Sequence, residues 1–313
     1  MCSSDLMKKL RHVIRAEQLV DAALLDELFA SADGLEREDK ARVLKYPLQG
    51  RILATMFYEP STRTRFSFEA AMQKLGGGVL TAENALDNSS ASKGETIADT
   101  VRVVSGYADA IVLRHPQVGT AETAAEASPV PIINAGDGAG EHPTQALIDV
   151  YTIRKELGRL EDLNIALIGD LKNGRTIHSL LPFLIKAPGV SLTLISPPQL
   201  RLPGKYIRML QEADTRFAET TRLARLQPAD VVYVTRVQRE RFASEAEYDL
   251  VKDSYRIDLH VADSLKTRSI ILHALPRTTE ISPEVDQDAR AAYFRQARNG
   301  LYVRMALLKY LMD

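Results

Sequence analysis

The chain has 313 residues, 40 basic and 41 acidic, for a formal charge of −1; with 45% hydrophobic and 26% charged residues it has an ordinary globular balance, and its length favours two cores over one. Near-neutrality gives no global field for nucleic acid or an anionic membrane. The single cysteine, Cys2, excludes an internal disulfide and a thiolate metal site, and no apolar run approaches the ~18 residues of a membrane span.

Met1–Leu10 lacks the apolar core of a signal peptide, so a cytoplasmic protein is expected. Ile52–Phe57 is the first predicted strand. A helix follows, with Phe68, Ala71, Met72 and Leu75 at i, i+3, i+4 and i+7. The polar stretch Asp87–Gly94 reads as a mobile loop, and Ile97, Val101, Val104 and Ala108 form the next helical stripe. Strands are predicted at Ala110–Leu113 and Pro131–Asn134, then a long helix over roughly 143–160 carrying Leu147, Val150 and Tyr151. Further strands are predicted at Asn164–Ile168, Ser191–Ile195, Val231–Val237 and Ser269–Leu272, and a closing helix over roughly 287–311. Short continuous apolar strands alternating with helices imply parallel sheets covered on both faces. The expected class is α/β, with two doubly wound parallel-sheet domains joined by two long helices. One domain would take residues 1–142 plus about 290–313, the other about 150–288.

Ser61-Thr62-Arg63-Thr64-Arg65 lies between a strand and a helix. Ser61 suits an N-cap, and the first turn offers free N–H groups and the positive end of the helix dipole. Such a turn, with hydroxyls and guanidiniums on it, is a cradle for phosphate. Two arginines there oppose the dipole at ~0.3–1 kcal/mol each, which an anion would offset. Taken alone, the segment is equally a capped surface helix with solvated arginines. Neither a Walker loop nor a dinucleotide fingerprint is present; the glycines of Gly136–Gly140 lack the spacing.

Six other segments have a similar character. Ser89 to Lys93 lie in a polar loop feeding a helix. Arg114 and His115 end a strand, where open α/β sheets bind ligands; His115 by itself reads as structural. His142-Pro143-Thr144-Gln145 opens a helix after a glycine-rich turn, with Pro143 suited to the first position. Arg175 opens another helix, and Arg236 and Gln238 follow a strand; two cations there suit a dicarboxylate. His273-Ala274-Leu275-Pro276-Arg277 follows the last strand. Each of these, alone, is also an ordinary surface or core feature.

Together, in this order and over about residues 45–305, the segments resemble those of the aspartate and ornithine carbamoyltransferases. The resemblance implies that Ser61, Thr62, Arg63, Thr64, Arg114, His142 and Gln145 hold carbamoyl phosphate. Thr64, Arg114 and His142 would stabilise the oxyanion, and backbone carbonyls around Leu275 and a cis Pro276 would accept the carbamoyl N–H. Ser89 and Lys93 would reach a neighbouring subunit's site in a homotrimer with shared sites. Arg175 would take the α-carboxylate of the acceptor; Arg236 and Gln238, with Lys93, would take the rest. Ala274 stands where the commoner family form has proline. No metal, cofactor, nucleic acid or membrane is implied, and regulatory chains are left open.

Between the branches, an ornithine acceptor would call for cysteines at the places of Ala274 and Thr144 and for a Ser-Met-Gly loop, none of which is here. The cation at Arg236 favours an anionic acceptor, since an unpaired buried charge is expensive. The expected reaction is direct transfer of the carbamoyl group from carbamoyl phosphate to the α-amine of L-aspartate, a step of de novo pyrimidine biosynthesis. The alternatives are transfer to another amino acid and a non-catalytic anion-binding subunit.

Overall fold

The computed structural model describes residues 10–85 and 94–313. The chain divides into two compact units: the described residues up to Pro143 with Leu301–Asp313, and Thr144–Gly300. The chain crosses between them inside two helices, Pro143–Leu157 and Tyr293–Met312.

The first unit is built on helix α1 (Ala22–Ala41), strand β1 (Ile52–Phe57), helix α2 (Thr62–Lys74), strand β2 (Gly78–Glu83), helix α3 (Ile97–Val104), strand β3 (Ala110–His115), helix α4 (Thr120–Ala127) and strand β4 (Ile132–Asp137). Asp21 caps α1 by accepting from Leu24 N at 2.9 Å. Thr96 does the same for α3 through Asp99 N. All four strands are parallel, in the order β2-β1-β3-β4. Ala54, Met56, Ile111, Leu113 and Ile132 pack with Val101, Ala121 and Ala124 in one core.

The second unit takes helix α5 (Pro143–Leu157) from Thr144 onward, strand β5 (Asn164–Ile168), helix α6 (Arg175–Lys186), strand β6 (Ser191–Ile195), helix α7 (Gly204–Glu212), strands β7 (Arg216–Thr220) and β8 (Val231–Val234), the short helices α8 (Glu245–Asp249) and α9 (Leu259–Asp263), strand β9 (Ile270–His273) and helix α10 (Tyr293–Met312) as far as Gly300. Its five parallel strands run β7-β6-β5-β8-β9. Ala166, Ile168, Val232, Val234, Ile271 and Tyr293 lie in its core.

The architecture is the α/β arrangement expected, with sheets of four and five parallel strands. Two strands were missing from the sequence reading, β2 and β7. Both are sheet edges with mostly exposed side chains, so neither shows an apolar run. Helices α1, α4 and α7 and the short helices α8 and α9 also lie outside the predicted elements. Strand β8 stops at Val234 rather than Val237, because its partner β5 ends at Ile168, whose carbonyl accepts the last ladder bond from Thr235 N. Helix α5 ends at Leu157 rather than 160, at Gly158 with φ 76°. Helix α10 starts at Tyr293 rather than about 287, because Pro283–Gln287 forms a separate 3-10 turn. Ser89, Lys93 and residues 87–93 of the expected loop lie outside the described residues.

Candidate active site

In each sheet the strand order reverses once. In the first unit β1 connects outward to β2, while β3 lies on the other side of β1. The loops leaving β1 and β3 therefore diverge at the carboxyl ends of those strands, the position at which open α/β sheets bind ligands. Ser61–Arg65 follows β1, and Arg114 is the penultimate residue of β3. The two ends are tied directly, as Tyr58 N donates to Arg114 O at 2.9 Å. In the second unit the reversal lies between β5 and β8. Arg175 follows β5 and Arg236 and Gln238 follow β8, so each cation group sits at the switch point of its own sheet.

In the first unit Ser61 occupies the N-cap of α2, yet its hydroxyl caps nothing, which corrects the capping role expected for it. Thr62 and Arg63 are exposed and Thr64 is buried. The two arginines of the segment differ sharply. Arg65 pairs with Glu83 at 2.8 Å and Glu69 at 3.8 Å, its side chain only 13% exposed. Its charge is thus neutralised within the fold, and it needs no ligand. Arg63 has no side-chain hydrogen bond or ion pair among the described residues, and partial desolvation lowers its pKa. A cation held near the positive end of a helix without a counter-ion is a site for an anion.

Arg114 pairs with Glu59 at 2.9 Å and donates to Ala135 O at 3.3 Å. Its guanidinium is thereby fixed at the β3 end. His115 serves the fold: its Nδ1 accepts from Gln117 N at 3.0 Å and lies 3.0 Å from the Thr120 hydroxyl. Burial lowers its pKa. Beyond β4 the glycine-rich turn is closed by Asp137, which accepts from Gly119 N at 2.9 Å and Glu141 N at 2.7 Å. Gly138 has φ 50°, and a Cβ there would lie 2.4 Å from Pro116 O, so glycine is required. This turn delivers the buried His142 to the head of α5.

In the second unit Asp170, fully buried, holds the two switch-point loops. It accepts from Asn173 N at 2.9 Å and from Gln238 N at 3.4 Å. Burial raises its pKa. Gln238 Nε2 donates to Asn173 O at 2.9 Å. Arg236 is engaged by Glu240 through two bonds, 2.6 and 3.2 Å. Gly169 has φ 110°, and a Cβ there would meet Thr235 O at 2.3 Å.

The Leu275–Pro276 bond is cis, and Leu275 has φ 55°, unusual for a leucine. Leu275 N donates to His273 Nδ1 at 2.7 Å, and His273 Nε2 faces Glu280 Oε1 at 2.8 Å. Burial alone would raise the Glu280 pKa; the hydrogen bonds it accepts from His273 and from Thr278 N outweigh it and pull the group down to about 2. Gln145 donates from Nε2 to the fully buried Asp149 at 2.7 Å. Sequence reasoning did not single out Asp149, Asp170, Glu59 or Glu280. An acidic residue gives no periodic signal of its own, and only the partners reveal it. Among the described residues no group of three or more His, Cys, Asp or Glu is arranged to hold a metal ion, and no helix is long and apolar enough to cross a membrane.

Two family models match the chain: the carbamoyl-P binding domain of aspartate/ornithine carbamoyltransferases over residues 11–155, and the Asp/Orn binding domain over 161–311. A curated relative from Methanothrix thermoacetophila, an aspartate carbamoyltransferase catalytic subunit, is 49% identical over 308 residues, covering 98% of this chain and all of the relative. The catalytic subunit of M. jannaschii aspartate transcarbamoylase is 47% identical with TM-score 0.90, covering 97% of this chain and 98% of that one. The Trypanosoma cruzi aspartate transcarbamoylase in complex with carbamoyl phosphate and aspartate gives 40% identity and TM-score 0.92, over 97% of each chain.

Proposed function

The chain belongs to the aspartate/ornithine carbamoyltransferase family, and on that premise we propose that it transfers the carbamoyl group of carbamoyl phosphate to the α-amine of L-aspartate. The products are N-carbamoyl-L-aspartate and phosphate, in de novo pyrimidine biosynthesis. The observation that carries the reading is the uncommitted guanidinium of Arg63 on the first turn of α2, beside an Arg65 already neutralised by carboxylates.

In this reading Arg63, Ser61, Thr62 and the open N–H groups of α2 take the phosphate. Thr64, Arg114 and His142 take the carbonyl oxygen and stabilise the oxyanion when the neutral amine attacks the carbamoyl carbon. The C–N bond forms, the C–O bond to phosphate breaks, and the departing phosphate takes the amine's proton. Gln145 and the backbone around Leu275 and Pro276 orient the carbamoyl nitrogen. Arg175 takes the aspartate α-carboxylate, and Arg236 with Gln238 takes the side-chain carboxylate. An incoming carboxylate competes with Glu240 for the fork of Arg236, and this supports an anionic acceptor over a cationic one. Holding both reactants in line supplies ~7–11 kcal/mol of the barrier reduction.

The enzyme is, in the same reading, a cytoplasmic homotrimer whose neighbouring chain supplies Ser89 and Lys93, with room for regulatory chains. An acceptor panel tests the chemistry: with carbamoyl phosphate as donor, aspartate is consumed and ornithine is not. Turnover of ornithine at a comparable kcat/KM would reject the assignment. Chains inactivated separately at Arg63 and at Lys93 test the shared site. Mixed oligomers regain part of the activity if the site is shared, and stay inactive if it is not.

A further inference from the structure

Asp149 accepts hydrogen bonds from three side chains of the second unit, yet it faces no solvent. It lies one turn beyond Gln145 on α5. Its Oδ1 accepts from Gln145 Nε2 at 2.7 Å and from Gln296 Nε2 at 2.6 Å; its Oδ2 accepts from the Tyr233 hydroxyl at 2.7 Å. Each donor leads to a different part of the proposed site. Tyr233 lies on β8, three residues before Arg236. Gln296 uses its other end, Oε1, to accept from His273 N at 2.9 Å. His273 in turn accepts from Leu275 N.

The bond to Gln145 carries a consequence for polarity. A carboxylate only accepts hydrogen bonds, so the NH2 end of the Gln145 carboxamide must face Asp149 and the oxygen must face away. A carboxamide free to flip would present donor and acceptor alternately. We propose that Asp149 is a positioning residue for carbamoyl transfer: it locks the Gln145 carboxamide with its oxygen outward, as an acceptor for the N–H of the carbamoyl group, and joins it through Gln296 to the Leu275–Pro276 turn. This rests on the assignment of Gln145 to the carbamoyl group made above.

The experiment is a double-mutant cycle on the full-length protein, with steady-state kinetics for both substrates and a melting curve for each variant. Asp149→Ala is expected to lower kcat/KM for carbamoyl phosphate roughly 10- to 100-fold, the cost of misaligned or unpaired buried donors. In a Gln145→Ala background the same change is expected to cost only a few-fold more, because the residue it acts through is gone. Asp149→Asn can keep its oxygen toward both glutamines and turn its amide to Tyr233, so it is expected to retain most of the rate. Equal, additive losses in the two backgrounds, or an Asn variant as poor as Ala, would overturn the proposal. If Asp149→Ala gives no cooperative melt, Gln145→Glu decides. A carboxylate there repels Asp149, while its protonated form restores both the donor and the outward oxygen. Its activity relative to the parent is then expected to rise as pH falls from 8 towards 5; a flat ratio would overturn the proposal. The parent protein is the control. Loss of turnover there would reject the assigned reaction, whereas a normal Gln145→Ala enzyme would reject only the role of Gln145 and this inference with it.

Discussion

At the scale of single residues, the fold sorts side chains that the sequence presents as equals. Arg63 and Arg65 stand two apart, and spacing alone gives both the same claim on an anion. The partners of Arg65 are Glu69 on its own helix and Glu83 on the neighbouring strand, and the second is set by sheet register. Arg63→Ala is therefore expected to lower transfer activity by two to three orders of magnitude or more, the scale of a lost transition-state donor, with an unchanged melting temperature. Arg65→Ala is expected to do the reverse, costing about 1 kcal/mol or more of stability as its carboxylates lose their cation. Steady-state kinetics and thermal melts on the pair check both. Acid stability is a second matter for single residues. His178 is buried, donates from Nε2 to Leu171 O at 2.9 Å when neutral, and has its pKa pushed down to about 4 by burial. Between pH 6.5 and about 4 the unfolded chain binds a proton that the folded one refuses, so stability falls across that window, by roughly 3 kcal/mol in all. Glu280, held at about 2, continues the loss from pH 4.5 downward as its carboxylate protonates. Denaturant unfolding of the parent and of His178→Gln between pH 7 and 4 measures the first part, and the variant is expected to show the shallower slope.

At the scale of elements, the central strands were legible because they are buried on both faces and read as unbroken apolar runs, as in Ile52–Phe57 and Asn164–Ile168. The edge strands were not, because Gly78–Glu83 and Arg216–Thr220 bury little and carry charges. Missing an edge strand has a functional cost: strand order alone locates the reversal point, and β2 and β7 are part of that order. The motifs after β1, β5 and β8 could be read from the sequence, but their convergence on two switch points could not. The approach of β5 to β8 depends on Gly169, whose missing Cβ leaves room for Thr235 O. Gly169→Ala combines a disfavoured φ with a backbone overlap and is expected to cost at least about 2 kcal/mol, read as a lower melting temperature. A melting temperature equal to the parent's would show that the two strand ends have slack.

At the scale of the whole molecule, the order of the motifs along the chain carried more than any one of them. His142, Arg114 and Arg236 are each unremarkable alone, and only their sequence order pointed to a family. What the order left out are the buried carboxylates, Asp149 and Asp170, which orient the polar residues of the second unit. The two units carry separate cation groups, so lesions should separate by substrate. Arg236→Ala is expected to raise the KM for aspartate at least tenfold while changing that for carbamoyl phosphate little, which initial-rate kinetics with each substrate varied in turn will measure. The proposed reaction joins a phosphorylated donor to a dicarboxylate acceptor on this protein alone, with no second enzyme. Its most direct test is product stoichiometry with the purified protein, carbamoyl phosphate and aspartate. One carbamoyl-aspartate formed for each phosphate released, with both lost in Arg63→Ala, is the result expected; phosphate release without carbamoyl-aspartate would contradict it.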